Sequence, residues 1–206
     1  MKGIAGLVLA AGASSRMGTP KQLLPAGGGT LLDRVLSEAL RSDLERIVLV
    51  LGFKARAIAK GLKTDLRHPK LRIIENRNYR QGMGSSLAAG LWAVEKDFDA
   101  VMILLGDMPH VTAGLINLLV QRCLQSGSPL AALTSGGRRS HPVIIGRPFF
   151  PDLHGLEGDE GAKRIFAEHA DQVLLVEPPG EYDDTDIDTP DEYRAFQRKR
   201  KRMNSS

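Results

Sequence analysis

Three short apolar runs most constrain the fold of this chain. Ile4–Ala10, Arg46–Leu51 and Ala100–Leu105 are nearly continuous in apolar residues, a pattern typical of strands buried on both faces. Residues 31–42, between the first two runs, have helical spacing instead. The repeated strand–helix–strand order predicts a mostly parallel sheet with helices on both faces. Helices are also predicted over residues 54–63, 85–94, 112–125, 158–170 and 189–198, and strands over 71–75, 130–134, 142–146 and 173–176.

Length and composition favour one soluble domain. A chain of 206 residues can bury one sizeable α/β core, which makes a second independent domain unexpected. Hydrophobic residues make up 42% and charged residues 25%, as in ordinary globular proteins, and no apolar run reaches the 18 residues of a membrane span. The single cysteine, Cys123, excludes a disulfide within the chain. We therefore expect a cytoplasmic protein with no membrane partner.

The positive charge is concentrated at the C-terminal end. The formal net charge is +4, but residues 198–202 alone carry five of the 28 basic side chains. The remaining 23 basic residues nearly balance the 24 acidic ones. We therefore expect residues 1–197 to form a single domain and residues 198–206 a basic, disordered tail. A nucleic-acid partner is not expected, and a tail contact with nucleic acid or an acidic partner is the alternative.

A glycine-containing loop follows the first strand directly. It reads Leu9-Ala10-Ala11-Gly12-Ala13-Ser14-Ser15-Arg16-Met17-Gly18-Thr19-Pro20-Lys21. Small residues let backbone N–H groups approach a phosphate, and Arg16 and Lys21 add two positive charges that a triphosphate requires. The loop is not a Walker A motif, because five residues separate Gly12 from Gly18 and Thr-Pro precedes the lysine. Composition alone also allows a tight strand-to-helix turn with solvated Arg and Lys.

Carboxylates occur at two further positions that suggest chemistry. Asp107 follows a buried strand, at the sheet edge where α/β proteins bind ligands, and Thr112 already caps the next helix. Near the C-terminal end, Thr189 and the proline after it explain a helix start but leave Asp188 unexplained. A carboxylate at such positions can hold Mg²⁺ against a triphosphate. Asp188 is the preferred second acid and Asp186 the alternative.

Three other segments contain candidate ligand contacts. Residues 76–87 include Gly82 and Gly84, which allow close approach of a ligand, while Ser85 or Ser86 can cap the following helix. His141 precedes a predicted strand, where its imidazole can contact a bound ligand or be satisfied by backbone. Residues 158–163 contain Asp159, which either caps a helix or contacts the second substrate.

The motif L-A-A-G-x-S-x-R-M-G-x-x-K-x-L resembles the signature loop of nucleotidyltransferases with the nucleotide-diphospho-sugar transferase fold. Within that group the chain most resembles the molybdenum cofactor cytidylyltransferases and related MobA-like NTP transferases. The resemblance covers roughly residues 4–197. It implies a three-layer, Rossmann-like α/β fold with a mostly parallel seven-stranded sheet, and Mg²⁺-dependent transfer of a nucleotide.

The resemblance also implies roles for individual residues. Arg16, Lys21 and Asp107 would be catalytic, and Asp107 and Asp188 would hold Mg²⁺. The segment 136–143 resembles the G-x-R-G-H-P-V acceptor loop, with Ser140 in place of the usual glycine, and 158–163 resembles G-D-x-G-A-R, with Lys163 in place of Arg. The implied acceptor contacts are His141, Pro142 and Asp159. The implied nucleotide contacts are Leu9, Ala10, Ala11, Gly12, Arg16, Lys21, Asn78, Gly82, Met83 and Ser86.

The first loop also bears on the nucleotide. Guanylyltransferase relatives tend to carry L-A-G-G, whereas Leu9–Gly12 reads L-A-A-G, which looks more like the CTP users. The implied reaction transfers CMP from CTP to molybdopterin bearing molybdenum and releases pyrophosphate, with a molybdoenzyme or its chaperone as a partner. The alternatives are a GTP-using relative, a transferase acting on another phosphorylated acceptor, and a non-catalytic nucleotide-binding regulator or molybdoenzyme chaperone.

Overall fold

The computed structural model describes residues 3–14, 17–159 and 161–203. Its sheet has seven strands in the spatial order β3-β2-β1-β4-β6-β5-β7. The strands are β1 (Ile4–Ala10), β2 (Arg46–Leu51), β3 (Leu71–Glu75), β4 (Ala100–Leu105), β5 (Leu130–Ser135), β6 (Arg138–Gly146) and β7 (Val173–Val176). The helices are α1 (Leu31–Arg41), α2 (Ala55–Gly61), α3 (Met83–Trp92), α4 (Ala113–Ser126), α5 (Phe150–His154), α6 (Lys163–Glu168) and α7 (Pro190–Met203).

The sheet is mostly parallel, as predicted. The pairs β1–β2, β1–β4, β2–β3 and β5–β7 are parallel. Only β6 runs against its neighbours β4 and β5. Leu9 pairs with Val50 on one side and Leu105 on the other, so the carboxyl ends of the three central strands meet at one edge.

Helices cover both faces of the sheet and produce the predicted three layers. Alternate residues of β1 point to opposite faces of the sheet. Val8 packs on one face in a core cluster with residues of α1, α2 and α4, and Leu7 packs on the other face in a cluster with residues of α3, α5 and α6. A third cluster joins α7 to the segment before α1 through Phe196, Ile187 and Leu31. None of the helices that the structure describes is long and apolar enough to cross a membrane.

Some predicted boundaries were wrong. Helix α3 begins at Met83, two residues earlier than predicted. Residues 158–170 begin with a turn and continue as a helix, as predicted, but the helix ends at Glu168. The predicted loop before residue 142 is instead the first half of β6, which pairs with β5 across a turn at Gly136 and Gly137. Both glycines have positive φ, a conformation that closes a tight hairpin.

The C-terminal helix corrects the predicted disordered tail for residues 198–203. Helix α7 continues to Met203, and two of its basic side chains contact the domain. Lys199 Nζ donates to Asp183 at 2.7 Å, and Arg200 packs over Gly27, where a Cβ would lie 2.9 Å from the guanidinium. Arg and Lys are good helix formers, so these contacts are enough to extend the helix past residue 197. Residues 204–206 lie outside the description.

Candidate active site

The first loop and Asp107 meet at the carboxyl edge of β1 and β4. Gly106, which follows β4, donates its backbone N–H to the Leu9 carbonyl at 2.9 Å. A Cβ at Gly106 would lie 3.0 Å from that carbonyl oxygen, so a side chain there would crowd the contact between the two strands. The predicted nucleotide contacts Leu9, Ala10, Ala11 and Gly12 line a cavity of about 290 Å³ here, with Asp107 on its wall. Arg16 lies outside the described residues.

Gln22 holds the loop in place, and sequence reasoning missed it. Its side chain is 3% exposed, and its Nε2 donates to the Ala10 carbonyl at 3.2 Å and to the Gly12 carbonyl at 3.1 Å. Its Oε1 accepts from Ser14 Oγ at 3.3 Å. The only sequence signal was a polar, uncharged residue between Lys21 and two leucines. Because peptide groups are planar, fixing these carbonyls also fixes the directions of the following N–H groups.

Lys21 brings the two predicted metal ligands together. Its ammonium contacts Asp107 Oδ2 and Asp188 Oδ1, although these residues lie 86 and 167 positions away in the sequence. All three side chains are mostly buried, with exposed fractions of 13% for Lys21, 19% for Asp107 and 24% for Asp188. Burial lowers the pKa of Lys21, but the two carboxylates outweigh burial, and the pKa is raised above 10.5. The lysine is therefore charged at neutral pH.

The acid segment is tied directly to the end of β4. Ile187 donates its backbone N–H to the Asp107 carbonyl at 3.0 Å. Glu192 accepts the backbone N–H groups of Asp188 at 2.8 Å and Thr189 at 2.7 Å. Thr189 in turn accepts from the Glu192 N–H at 3.3 Å, so it caps α7 as predicted and leaves the Asp188 carboxylate for the site.

The side chains at this edge fit a divalent cation. Asp107 Oδ1 is buried and has no hydrogen-bond partner among the described residues, an orphaned acceptor of the kind that a metal ion satisfies. Carboxylate oxygens are the ligands that Mg²⁺ and Mn²⁺ prefer. Within the described ranges no three His, Cys, Asp or Glu residues form a metal-binding group. An ion at Asp107 and Asp188 would therefore need substrate oxygens and water to complete its coordination.

Asp186 is the third carboxylate at the site. Burial, followed by the charges of Asp107 and Asp188, raises its pKa above the ordinary value of 3.8. It lines the nucleotide cavity and also a second, adjoining cavity. Asp186 therefore lies where the two cavities adjoin.

The second glycine segment forms the opposite wall of the nucleotide cavity. Gly82, Met83 and Ser86 line it as predicted, together with Tyr79, which was not predicted. Gly82 has φ of 96°, and a Cβ there would lie 2.3 Å from the Gly158 backbone, so only glycine fits. Asn78 is not among the residues that line this cavity and lines a different one, with Asn76 and Ser85.

The second cavity has a volume of about 440 Å³, and its lining includes three basic side chains and three carboxylates, Asp159, Asp184 and Asp186. Arg138, Arg139 and Lys163 face it along with the predicted acceptor residue His141. Arg139 lies over the ring of Phe166, with its guanidinium carbon 4.5 Å from the ring centroid. The cavity therefore offers cationic side chains beside carboxylates, and one of these cations, Arg139, is held over the buried ring of Phe166.

His141 and Pro142 differ in their placement. Burial lowers the pKa of His141, against a hydrogen bond to the Ile103 backbone that raises it, so the imidazole is neutral at pH 7. Its Nδ1 is buried and has no partner within the described parts of the chain. Pro142, joined to His141 by a cis peptide bond, is not among the residues lining the cavity.

Asp159 joins the two cavities. It lines both of them, and its Oδ1 accepts the Met83 backbone N–H at 3.1 Å. Asp159 therefore caps the first turn of α3, and not α6, which is the helix that follows Asp159 in the sequence. Met83 and Leu105 also line both cavities. Two substrates bound in these cavities would meet beside Asp186 and the Lys21 cluster.

A glycine loop at a parallel sheet edge, a lysine and two carboxylates define a site of the nucleotidyltransferase class. Comparison with known proteins agrees with this class. The MobA-like NTP transferase domain matches residues 6–173, and the chain belongs to this family of nucleotidyltransferases.

Three curated relatives align over 94% of the chain. They are the purine catabolism protein PucB of Bacillus subtilis (32% identity, 95% of that protein), the nicotine blue oxidoreductase of Paenarthrobacter nicotinovorans (32%, 96%) and the molybdenum cofactor cytidylyltransferase of Escherichia coli K12 (28%, 95%).

Solved structures show the same fold. A homologue of Mycobacterium tuberculosis Rv0371c from Mycobacterium sp. strain JC1 superimposes with a TM-score of 0.83 at 30% identity, covering 97% of this chain and 98% of that one. Rv0371c of M. tuberculosis in complex with manganese superimposes with a TM-score of 0.74 at 26% identity, covering 94% and 97%.

Proposed function

We propose that this protein transfers CMP from CTP to a molybdopterin bearing molybdenum and releases pyrophosphate. The observation that carries the proposal is the pair of adjoining cavities that meet at the carboxylate cluster. One is walled by the phosphate-binding type of loop, and the other by Arg138, Arg139, Lys163 and the face of Phe166. A relative of 28% identity is named molybdenum cofactor cytidylyltransferase, and the L-A-A-G loop favours CTP over GTP.

The transfer requires in-line displacement at the α-phosphorus of CTP. A phosphate oxygen of the acceptor forms a new P–O bond to the α-phosphorus. The bond between the α-phosphorus and the oxygen that bridges the α- and β-phosphates breaks, and that oxygen leaves with the electron pair as part of pyrophosphate. The acceptor oxygen is already ionised, so no side chain has to form a covalent intermediate. Catalysis therefore comes from alignment and from charge stabilisation.

The described residues supply both of these effects. The fixed backbone of Ala11 and Gly12 orients the nucleotide, and the buried Lys21 supplies a positive charge against its phosphates. Asp107 and Asp188 would hold Mg²⁺, which when bound supplies Lewis-acid polarisation of the phosphoryl oxygens. A related protein of 26% identity was crystallised with manganese, a cation that takes the same oxygen ligands.

The acceptor cavity suits a planar, anionic molecule. Its three cationic side chains can pair with a phosphate, and a ring system can stack on the guanidinium of Arg139, which is held over the buried Phe166 ring. The neutral His141 lines this cavity, and its Nδ1 has no hydrogen-bond partner among the described residues. This combination supports a pterin phosphate better than a sugar phosphate, which has no aromatic face.

Pyrophosphate release with Mg²⁺ tests the proposal directly. The enzyme is assayed with CTP, GTP, ATP and UTP, each with and without molybdenum-loaded molybdopterin. Release with CTP only when the pterin is present is the expected result. Asp107→Asn should lower the rate about 10²–10³-fold, whereas Asp65→Asn, on an exposed loop away from the cavities, should leave it unchanged.

The other outcomes separate the alternatives. Release with GTP instead of CTP would keep the chemistry and reassign the base to that of a guanylyltransferase. No pyrophosphate release with the pterin, but release with another phosphorylated compound, would reassign the acceptor. The relatives PucB and nicotine blue oxidoreductase, each 32% identical to this chain, make that outcome worth testing. Nucleotide binding without any pyrophosphate release would favour a regulator or chaperone.

A further inference from the structure

The strand pairing is interrupted in the acceptor loop, residues 136–143. Ser140 and Val143 pair with adjacent residues of β5, so the two residues between them, His141 and Pro142, form a bulge in β6. Neither of the two has a partner in the described registers with β4 and β5. A bulge turns side chains in a new direction, and it also disrupts the ladder of hydrogen bonds locally. The loop is therefore held less firmly by the sheet at His141 than at its neighbours.

Tyr182 reaches this bulge from the acid segment, residues 182–188. Its Oη donates to the His141 carbonyl at 2.8 Å, across 41 positions of the sequence. Tyr182 is 8% exposed and is not among the residues that line either cavity. Burial, followed by the charges of Asp184 and Asp183, raises the pKa of Tyr182 above its ordinary value of 10.0. The phenol therefore keeps its proton and remains a donor at neutral pH.

The acid segment is tied to the rest of the site at two places. Ser135, the last residue of β5, has its Oγ 2.9 Å from the Tyr182 carbonyl oxygen and 3.0 Å from Asp184 Oδ1, so its hydroxyl can donate to either. Farther along the segment, Ile187 donates its backbone N–H to the Asp107 carbonyl at 3.0 Å. The segment therefore joins the acceptor hairpin at one end to the nucleotide edge of the sheet at the other.

We propose that Tyr182 is a positioning residue that sets the place of the acceptor loop relative to the acid segment. The loop contributes Arg138, Arg139 and His141 to the acceptor cavity, and the segment contributes Asp188 to the nucleotide cavity. In-line attack needs the two substrates aligned, and a displacement of about 1 Å can cost on the order of 10²-fold in rate. This inference rests on the proposed function, since it takes the cavity beside the loop as the acceptor site.

Tyr182→Phe removes one hydroxyl and keeps the buried ring. With the His141 carbonyl released, the acceptor should bind in poorer alignment, and kcat/KM for the pterin should fall about tenfold to a hundredfold. The KM for CTP should not change, because Ile187 and Glu192 hold the nucleotide end of the segment without Tyr182. A loss of general stability would not divide the two substrates in this way.

Tyr193→Phe is the matched control. The Tyr193 Oη also donates to a backbone carbonyl at 2.8 Å, that of Pro25, and Tyr193 is not among the residues that line either cavity. It accepts a further hydrogen bond from Gln197, so its removal should lower the unfolding temperature at least as much as Tyr182→Phe does. Only Tyr182→Phe should lower kcat/KM for the pterin.

Hydrogen exchange tests the link without any substrate. The backbone amides of residues 138–141 should exchange about fivefold faster in Tyr182→Phe than in the unmodified protein, because one local hydrogen bond is lost. Tyr193→Phe should leave the exchange of these amides unchanged. Equal exchange of residues 138–141 in the two variants would overturn the inference.

Kinetics and exchange together separate this inference from the proposed function. A selective fall in kcat/KM for the pterin, with faster exchange at residues 138–141, is the expected result. If the unmodified enzyme releases pyrophosphate with CTP and the pterin, but Tyr182→Phe matches Tyr193→Phe in kcat/KM, the positioning role is overturned and the proposed function stands. If the unmodified enzyme releases none, the proposed function fails, and the exchange measurement alone decides whether Tyr182 holds the loop.

Discussion

Gln22→Leu removes the side chain that fixes the nucleotide loop. The substitution keeps an apolar body of similar size but deletes two hydrogen bonds donated to Ala10 and Gly12 and one accepted from Ser14. The buried Ala10 carbonyl and the partly buried Gly12 carbonyl lose a donor, which costs roughly 3 kcal/mol of folding stability in total. In a chain of this length such a loss lowers Tm by about 6–12 °C.

The same substitution should weaken nucleotide binding more than it slows the chemistry. With the loop released, nucleotide binding has to order it, and ordering even one residue costs about 1–2 kcal/mol. The KM for CTP should therefore rise about five- to thirtyfold. The kcat should change much less, because Gln22 holds the loop from behind, through its carbonyls.

Steady-state kinetics and thermal unfolding of matched variants test this reasoning. Ser42→Ala is the control, since Ser42 is 2% exposed and its Oγ donates to the Ala39 carbonyl at 2.6 Å, at the far end of α1. It should lower Tm without changing KM. A Gln22→Leu enzyme that loses stability but keeps a normal KM for CTP would refute the positioning role and leave only a structural one.

Three further predictions concern the acceptor, the C-terminal helix and pH. Arg139→Ala should raise the KM for the pterin acceptor about tenfold, because one charged contact is lost, and should leave the KM for CTP unchanged. Equal effects on the two KM values would contradict binding in two separate cavities. Truncation after Gln197 removes the Lys199–Asp183 pair and the packing of Arg200 over Gly27. The free energy of unfolding, measured by urea titration, should therefore fall by about 1–2 kcal/mol. An unchanged midpoint would mean that these contacts add nothing to stability. Burial lowers the pKa of His110 below 6.5, although the nearby Asp183 raises it, so the neutral form is favoured in the folded state. Its contribution to stability is complete above about pH 6.5 and is lost as the pH falls below that value, and His110→Gln should flatten the stability profile between about pH 5 and 7.

Buried strands are the part of the fold that the sequence predicted to the residue. The bounds of β1, β2 and β4 coincide with the apolar runs. Strands covered by helices on both faces are apolar at nearly every position, so the run of apolar residues begins and ends with the strand. The first half of β6 was missed, since R-R-S-H lacks the alternation of a half-buried strand and its pairing depends on the turn at Gly136 and Gly137. Tertiary pairing, absent from local sequence, decides such a segment.

The site shows a similar division. The small residues of the first loop, Lys21 and Asp107 could be identified from position and chemistry, because a loop after a buried strand opens at the ligand edge of the sheet. The approach of Asp188 to Asp107 could not be derived locally, because 80 residues lie between them. The Ile187 hydrogen bond to the Asp107 carbonyl and the Lys21 contacts to both carboxylates form only in the folded chain. Gln22 was missed for the same reason, because its partners Ala10 and Gly12 become neighbours only when the loop folds back.

The central claim is that this enzyme joins CMP to a pterin phosphate. Mass spectrometry of the pterin recovered after incubation with CTP and Mg²⁺ tests it most directly. We predict a product that carries one added CMP unit, formed in equal amount to the pyrophosphate released and absent from the Asp107→Asn reaction. Recovery of unmodified pterin while CTP is consumed, or a product bearing a different nucleotide, would contradict the account.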